Sequence, residues 1–245
     1  MHGWDAEYSV PAALQGQARD ELLLGELRVE REQVHGDAID HLRLHFGALR
    51  VLNDDTIKGG KGFDTHQHEN MEIVTIPIKG ALAHKDSTGA EGILYTGDVQ
   101  IMSAGSGIRH SEYNASHYDS TSLLQIWIFP KQTGIKPRHD QQTFDPAGRD
   151  NQWQILVSPR PEDQALKINQ DARLAITRMS AGTPLSYRPA FSGNGIYIFL
   201  LEGEIKAGTQ TLERRDGIGV TDTGELNISA TTAAELLAIE VPMFA

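Results

Sequence analysis

Ile76-Pro77-Ile78-Lys79-Gly80-Ala81-Leu82 and, far downstream, Phe199-Leu200-Leu201-Glu202-Gly203-Glu204-Ile205 follow one pattern: an apolar run, a glycine, then a second run. Each is followed by an Asp-bearing turn, Gly97-Asp98-Val99-Gln100-Ile101 in the first copy and Arg215-Asp216-Gly217-Ile218-Gly219 in the second. Each copy closes on an apolar run ending in proline, Leu123 to Pro130 and Leu236 to Pro242. Short apolar runs separated by Gly, Asn, Asp and Pro read as strands of a sandwich or barrel. A repeat of such a unit reads as two similar antiparallel β-barrels in tandem. The expected strands are Ala48–Leu52, Glu72–Ile78, Val99–Met102, Leu123–Phe129, Gln154–Val157, Leu174–Arg178, Ile196–Leu201, Gly217–Val220 and Leu236–Val241. Lys131 to Asp150, with Pro137 and Pro146 inside it, reads as the connection between the barrels. The division is therefore a segment 1–46, a first barrel 47–135, and a connection with a second barrel 136–245. In the first segment two readings stay open, a short helix over Asp20–Leu27 or a strand over Leu27–Val34.

Composition narrows the function. The 245 residues are 39% hydrophobic and 22% charged, which is enough for a sizeable core. Twenty-two Lys+Arg against 33 Asp+Glu give a net charge of −11, which disfavours direct nucleic-acid contact. There is no cysteine, so disulfides, thiolate metal sites and a Cys nucleophile are excluded. No apolar run approaches the length of a membrane span, and no secretory leader pattern opens the chain. The expectation is a cytoplasmic protein with no membrane association.

The chemistry concentrates in two stretches of the first barrel. Gly62-Phe63-Asp64-Thr65-His66-Gln67-His68-Glu69-Asn70-Met71-Glu72 carries His66 and His68 at i, i+2, one face of a strand. Such a pair alone is a weak signal, since chance gives roughly 0.4 pairs for ten histidines in a chain of this length. Ala104-Gly105-Ser106-Gly107-Ile108-Arg109-His110-Ser111-Glu112-Tyr113-Asn114 adds a second i, i+2 pair, His110 and Glu112, behind glycines that let the chain turn tightly. Two neighbouring strands would then send three imidazoles and one carboxylate into one interior, a set that holds a divalent ion and leaves positions open. Glu72 stands in reserve for Glu112, because on a regular strand it shares the face of both histidines. His84 and Asp86, also i, i+2, precede Ser87-Thr88-Gly89 and read as hairpin hydrogen bonding.

These residues resemble the two cupin motifs: Gly60, His66, His68, Glu72 and Gly80, then Gly97, Gly105, His110 and Asn114. Ala48 to Asp55, Thr65 to Ile73, Ser103 to Asn114 and Gln125-Ile126-Trp127-Ile128 are similar to bacterial members of the pirin family. The resemblance implies a bicupin, two barrels packed face to face with one metal in the first. It implies His66, His68, His110 and Glu112 as ligands and Fe(II) as the ion, with Zn, Mn, Cu, Ni or Co tolerated. It further implies quercetin 2,3-dioxygenase activity, in which the 3-hydroxyl of a flavonol binds the metal, Glu112 takes its proton, and the ring opens with loss of carbon monoxide. Phe63, Ile101 and Trp127 are candidates for lining the substrate space, against a role as ordinary β core. The alternative that the family offers is a non-enzymatic, iron-dependent regulator with a protein partner. Aligning Gly80 with Gly203 sets Pro189 and Phe191 opposite His66 and His68, and aligning Asp98 with Asp216 sets Ile228 and Ala230 opposite His110 and Glu112. No histidine follows His139, so the second barrel is expected to hold no such site.

Overall fold

The computed structural model describes residues 45–243. The alternatives for Asp20–Leu27 and Leu27–Val34 lie outside them. Nine strands come first: β1 (Leu49–Ile57), β2 (Gly62–His68), β3 (Glu72–Lys79), β4 (Ala81–Asp86), β5 (Glu91–Tyr95), β6 (Asp98–Ser103), β7 (Ile108–Asn114), β8 (Thr121–Ile128) and β9 (Arg138–Thr143). Nine more follow: β10 (Gln154–Val157), β11 (Arg173–Met179), β12 (Pro184–Tyr187), β13 (Asn194–Glu202), β14 (Glu204–Ala207), β15 (Gln210–Glu213), β16 (Gly217–Val220), β17 (Leu226–Ala230) and β18 (Ala234–Pro242). Each half folds into one five-stranded and one four-stranded sheet. The orders are β1-β8-β3-β6-β9 with β2-β7-β4-β5, and β10-β11-β18-β13-β16 with β12-β17-β14-β15. All the ladders joining these strands are antiparallel. Among the described residues no helix is long and apolar enough to cross a membrane.

Strand alternation decides what each face does. On β8, Leu124, Ile126 and Ile128 join one buried cluster with Leu174 and Ile176 of β11, Tyr197 and Phe199 of β13, and Leu237, Ile239 and Val241 of β18. That cluster spans both five-stranded sheets, so the two barrels share one core between their backs. The opposite face of β8 carries Leu123, Gln125 and Trp127, which turn to the interior of the first barrel. The opposite faces of β13 and β18 carry Ile196, Ile198, Leu200, Leu236 and Ala238, and these fill the second barrel with apolar side chains. Burial of polar groups is concentrated differently. Asp55, Thr75, His84, Gln100, His110, Glu112 and Gln125, all from strands of the first barrel, are all buried.

Two expectations are corrected. Lys131 to Asp150 is not all connection, because Arg138–Thr143 forms β9 and pairs with β6 from Ser103↔Arg138 to Asp98↔Thr143. Its sequence is polar on both faces, which an edge strand tolerates and an apolar-run criterion misses. The repeat register also moves by two residues. Gly80 and Gly203 both sit at positive φ between corresponding strands, and His84↔Glu112 in the first half matches Ala207↔Ile228 in the second. Ile228 therefore takes the place of Glu112 and Leu226 that of His110. Tyr187, paired with Leu226 as His66 is with His110, stands where His66 does, rather than Pro189.

Ile126 lies fully buried where the two sheets meet. Ile126→Ala is expected to cost about 2–5 kcal/mol in urea unfolding, with both halves melting in one transition. A loss below about 1 kcal/mol would contradict a shared core.

Candidate metal centre

β2 and β7 lie side by side, and their register sets His66 directly opposite His110. A register shift between Phe63 and His66 brings the two imidazoles level. Gly105, at φ +49° in the turn entering β7, has its Cα against the Ile135 carbonyl, and a Cβ there would collide with it. The three rings converge: His66 and His110 have centroids 4.4 Å apart, His66 and His68 4.8 Å, and His68 and His110 4.9 Å. One ring nitrogen from each lies within 4.8 Å of the other two. His66 Nδ1 is 2.8 Å from the Asp64 carbonyl, which fixes the ring and turns Nε2 inward.

The polar atoms here lack partners. His68 Nε2, both ring nitrogens of His110, and Glu112 Oε1 are buried with no hydrogen bond from the protein. Burial drives the His68 pKa down to about 4, with His66 adding to the effect, and that of His110 down to about 3, with His66 and His68 adding. Both rings are therefore neutral near pH 7, the form that coordinates a cation. Burial pushes Glu112 up to about 7, against the hydrogen bond from Gln125 and the nearby Thr75 hydroxyl. Asp55 reinforces that rise, and its own carboxyl is lifted to about 6 by burial and then by Asp54.

The sequence-derived residues separate at this point. His66, His68 and His110 come together as one cluster, whereas Glu112 groups with His110 and His84 at its side. Glu72 is excluded: β2 ends at His68, Asn70 turns at φ +49°, and Glu72 restarts the chain in the other sheet. There Glu72 Oε2 accepts from Ser103 Oγ at 2.8 Å and from the Asn169 amide at 3.1 Å, so it ties the first barrel to the chain leading into the second. Ile101 belongs to the core between the barrels and Phe63 packs on Ile57, Leu82 and Leu123, while the Trp127 and His68 rings stand nearly perpendicular with centroids 4.9 Å apart.

A neighbouring cluster behaves differently. His84, Asp86 and His139 also bring ligand-type atoms together, but they form a closed hydrogen-bond chain. His139 Nε2 donates to Gln100 Oε1 at 2.9 Å, Gln100 Nε2 approaches His84 Nδ1 at 3.5 Å, and His84 Nε2 donates to Asp86 Oδ2 at 3.1 Å. Asp86 Oδ1 accepts from the Thr88 amide and hydroxyl, as the hairpin reading expects. Nothing is left there for a cation to satisfy. His139 and Gln100 carry no spacing signal linking them to His84, because they come from other strands.

The sequence profile of the pirin family matches residues 19–128, and that of a quercetinase C-terminal cupin domain matches residues 155–241. The first match begins inside the segment 1–46. A quercetin 2,3-dioxygenase of Escherichia coli K12 is 37% identical over 198 residues, 80% of this chain and 84% of the relative. A pirin-like protein of Caulobacter vibrioides is 36% identical over 217 residues, 88% of this chain and 93% of the relative. The crystal structure of a bacterial pirin from Escherichia coli in complex with nickel(II) superposes with a TM-score of 0.78 at 34% identity, covering 85% of this chain and 89% of that one.

In protein stripped of divalent ions, the two buried histidines and Glu112 pull stability in opposite directions with pH. Between about pH 4 and 6.5 unfolded His68 and His110 hold more protons than folded, so their contribution to stability rises with pH. Folded Glu112 keeps, up to about pH 7, a proton that the unfolded chain releases near 4.5, so its contribution falls. Asp55, lifted to about 6, opposes the histidines as well, so the expected reading is the difference between proteins: from about pH 4.5 to 7 the urea midpoint rises more with pH in Glu112→Gln than in wild type. Equal slopes in the two proteins would contradict the buried-carboxyl reading.

Proposed function

The chain belongs to the pirin family, and on that footing we propose that it is a metal-dependent dioxygenase that opens the ring of a flavonol such as quercetin by 2,3-dioxygenation. In this reading His66, His68, His110 and Glu112 hold one divalent ion, Fe(II) foremost among Zn, Mn, Cu, Ni and Co. The observation that carries it is the set of unpartnered atoms at the centre of the histidine cluster. Leaving several buried donors and acceptors unsatisfied costs about 1–3 kcal/mol each. Three imidazoles that lie close together, with the Glu112 carboxyl beside His110, do not bond to one another and answer that cost by binding a cation. The nickel complex of the Escherichia coli relative supports a metal in this fold.

A divalent ion held by this set supplies Lewis acidity toward a substrate oxyanion and a partner for dioxygen. The protein supplies the rest. His66, fixed through Nδ1 by the Asp64 carbonyl, and His68, flanked by the Trp127 ring, keep the donor set rigid. Glu112 receives the proton of the flavonol 3-hydroxyl. The apolar ends of the barrel interior, Met71, Ile73, Met102 and Ile108 on one side and Ile57, Leu82 and Leu123 on the other, limit water around the reacting groups.

Fe(II)-loaded wild type given quercetin is expected to consume oxygen and release carbon monoxide in equal amounts. His66→Ala is expected to lose roughly 100-fold or more of that activity, and His110→Ala to lose its bound metal as read by elemental analysis. Equal turnover in wild type and His66→Ala overturns the enzyme reading, and equal metal content in His110→Ala overturns the ligand assignment.

A further inference from the structure

Gln125 and Trp127 stand two residues apart on β8 and face the same interior as the histidines. Trp127 Nε1 lies 3.0 Å from Gln125 Oε1, and Gln125 Nε2 lies 2.7 Å from Glu112 Oε2. The direction of this chain is fixed by chemistry, because an indole N–H can only donate. The Gln125 oxygen must therefore face Trp127, and its NH₂ must face Glu112. One oxygen of the Glu112 carboxylate is thus capped by a short hydrogen bond, and the other, Oε1, is buried and bare. The same indole stands nearly perpendicular to the His68 ring, so Trp127 braces two of the proposed ligands at once.

Resting on the metal reading above, we propose that the Trp127–Gln125 chain restricts Glu112 to one-oxygen ligation and so reserves two coordination positions for a chelating substrate. The argument is one of counting on a six-coordinate ion. Three imidazoles and one carboxylate oxygen occupy four positions and leave two, which a substrate offering two adjacent oxygens can fill. A carboxylate binding through both oxygens would occupy five and leave room for a single donor atom. Glu112 Oε2 cannot turn to the ion without giving up the Gln125 amide, and that amide cannot follow it without breaking from Trp127. Gln125 and Trp127 are positioning residues: they act through Glu112 and decide between chelating and single-atom ligands.

The test uses full-length protein loaded with Ni(II) or Co(II), without oxygen, titrated with 3-hydroxyflavone as a chelating probe and azide as a single-atom probe. Gln125→Met is expected to retain one ion per chain, to bind 3-hydroxyflavone about 10–100-fold more weakly, and to bind azide within a few-fold of wild type. The visible spectrum of the Co(II) form is expected to shift. Trp127→Phe keeps a ring against His68 but removes the N–H, and is expected to shift the same ratio in the same direction by a smaller factor. This second variant carries the test if Gln125→Met does not fold. An unchanged ratio of the two probes in a folded, metal-loaded variant overturns the inference and leaves the metal site standing. Wild type that takes up no ion overturns the metal reading, and this inference with it.

Discussion

A barrel interior that buries imidazoles and carboxyls without giving them hydrogen bonds is the constraint on which the rest of this protein turns. His68, His110 and Glu112 each bury atoms with no partner in the protein, and burial shifts all three pKa values toward the uncharged form. The other two buried glutamates of the described residues are satisfied. Glu240 is fully buried in the second barrel, yet its oxygens accept from Tyr187 Oη, Asn194 Nδ2 and the amides of Ala190 and Phe191. Glu72 is likewise held by Ser103 and Asn169. Three buried glutamates thus separate into two that brace the fold and one, Glu112, with a bare oxygen. That contrast within one molecule distinguishes a binding site from a structural carboxylate.

The tandem repeat sharpens the point. Both halves share the order of the four-stranded sheet and of four strands in the larger one, whose fifth strand, β9 or β10, adds at opposite edges. Where the first barrel has His66, His110 and Glu112, the second has Tyr187, Leu226 and Ile228, and its interior closes as an apolar core. One copy keeps the stability that packing provides, and the other gives up part of it for unsatisfied polar groups. The shared core between the backs of the barrels lets that asymmetry stand, because the first barrel leans on Leu174, Tyr197 and Ile239 of its neighbour. Its own interior holds only small apolar clusters at its ends.

Much of the site was legible because strand geometry has a period of two. His66 with His68, and His110 with Glu112, declare a common face by spacing alone. That rule stops at the end of a strand. Glu72 is four residues past His68, but the turn through Asn70 moves it into the opposite sheet, so the same arithmetic that groups the histidines misplaces the glutamate. β9 escaped because an edge strand needs no apolar side. The repeat register slipped by two because the second copy is longer than the first between Tyr187 and its glycine and shorter between its aspartate and Ile228, and only the ladder pairing fixes these offsets.

What the sequence determined by itself was therefore local and periodic: the all-β class, the doubling of the unit, the two ligand-bearing pairs, and a second half without a histidine. The tertiary structure alone decided which strands became neighbours. That choice excludes Glu72, encloses His84 with Gln100 and His139 in a finished hydrogen-bond chain, and sets Gln125 against Glu112. The physical reason is that a hydrogen bond between side chains from different strands depends on sheet order and register. Those are set by how two apolar faces bury each other across the whole molecule, which no spacing within a single strand encodes.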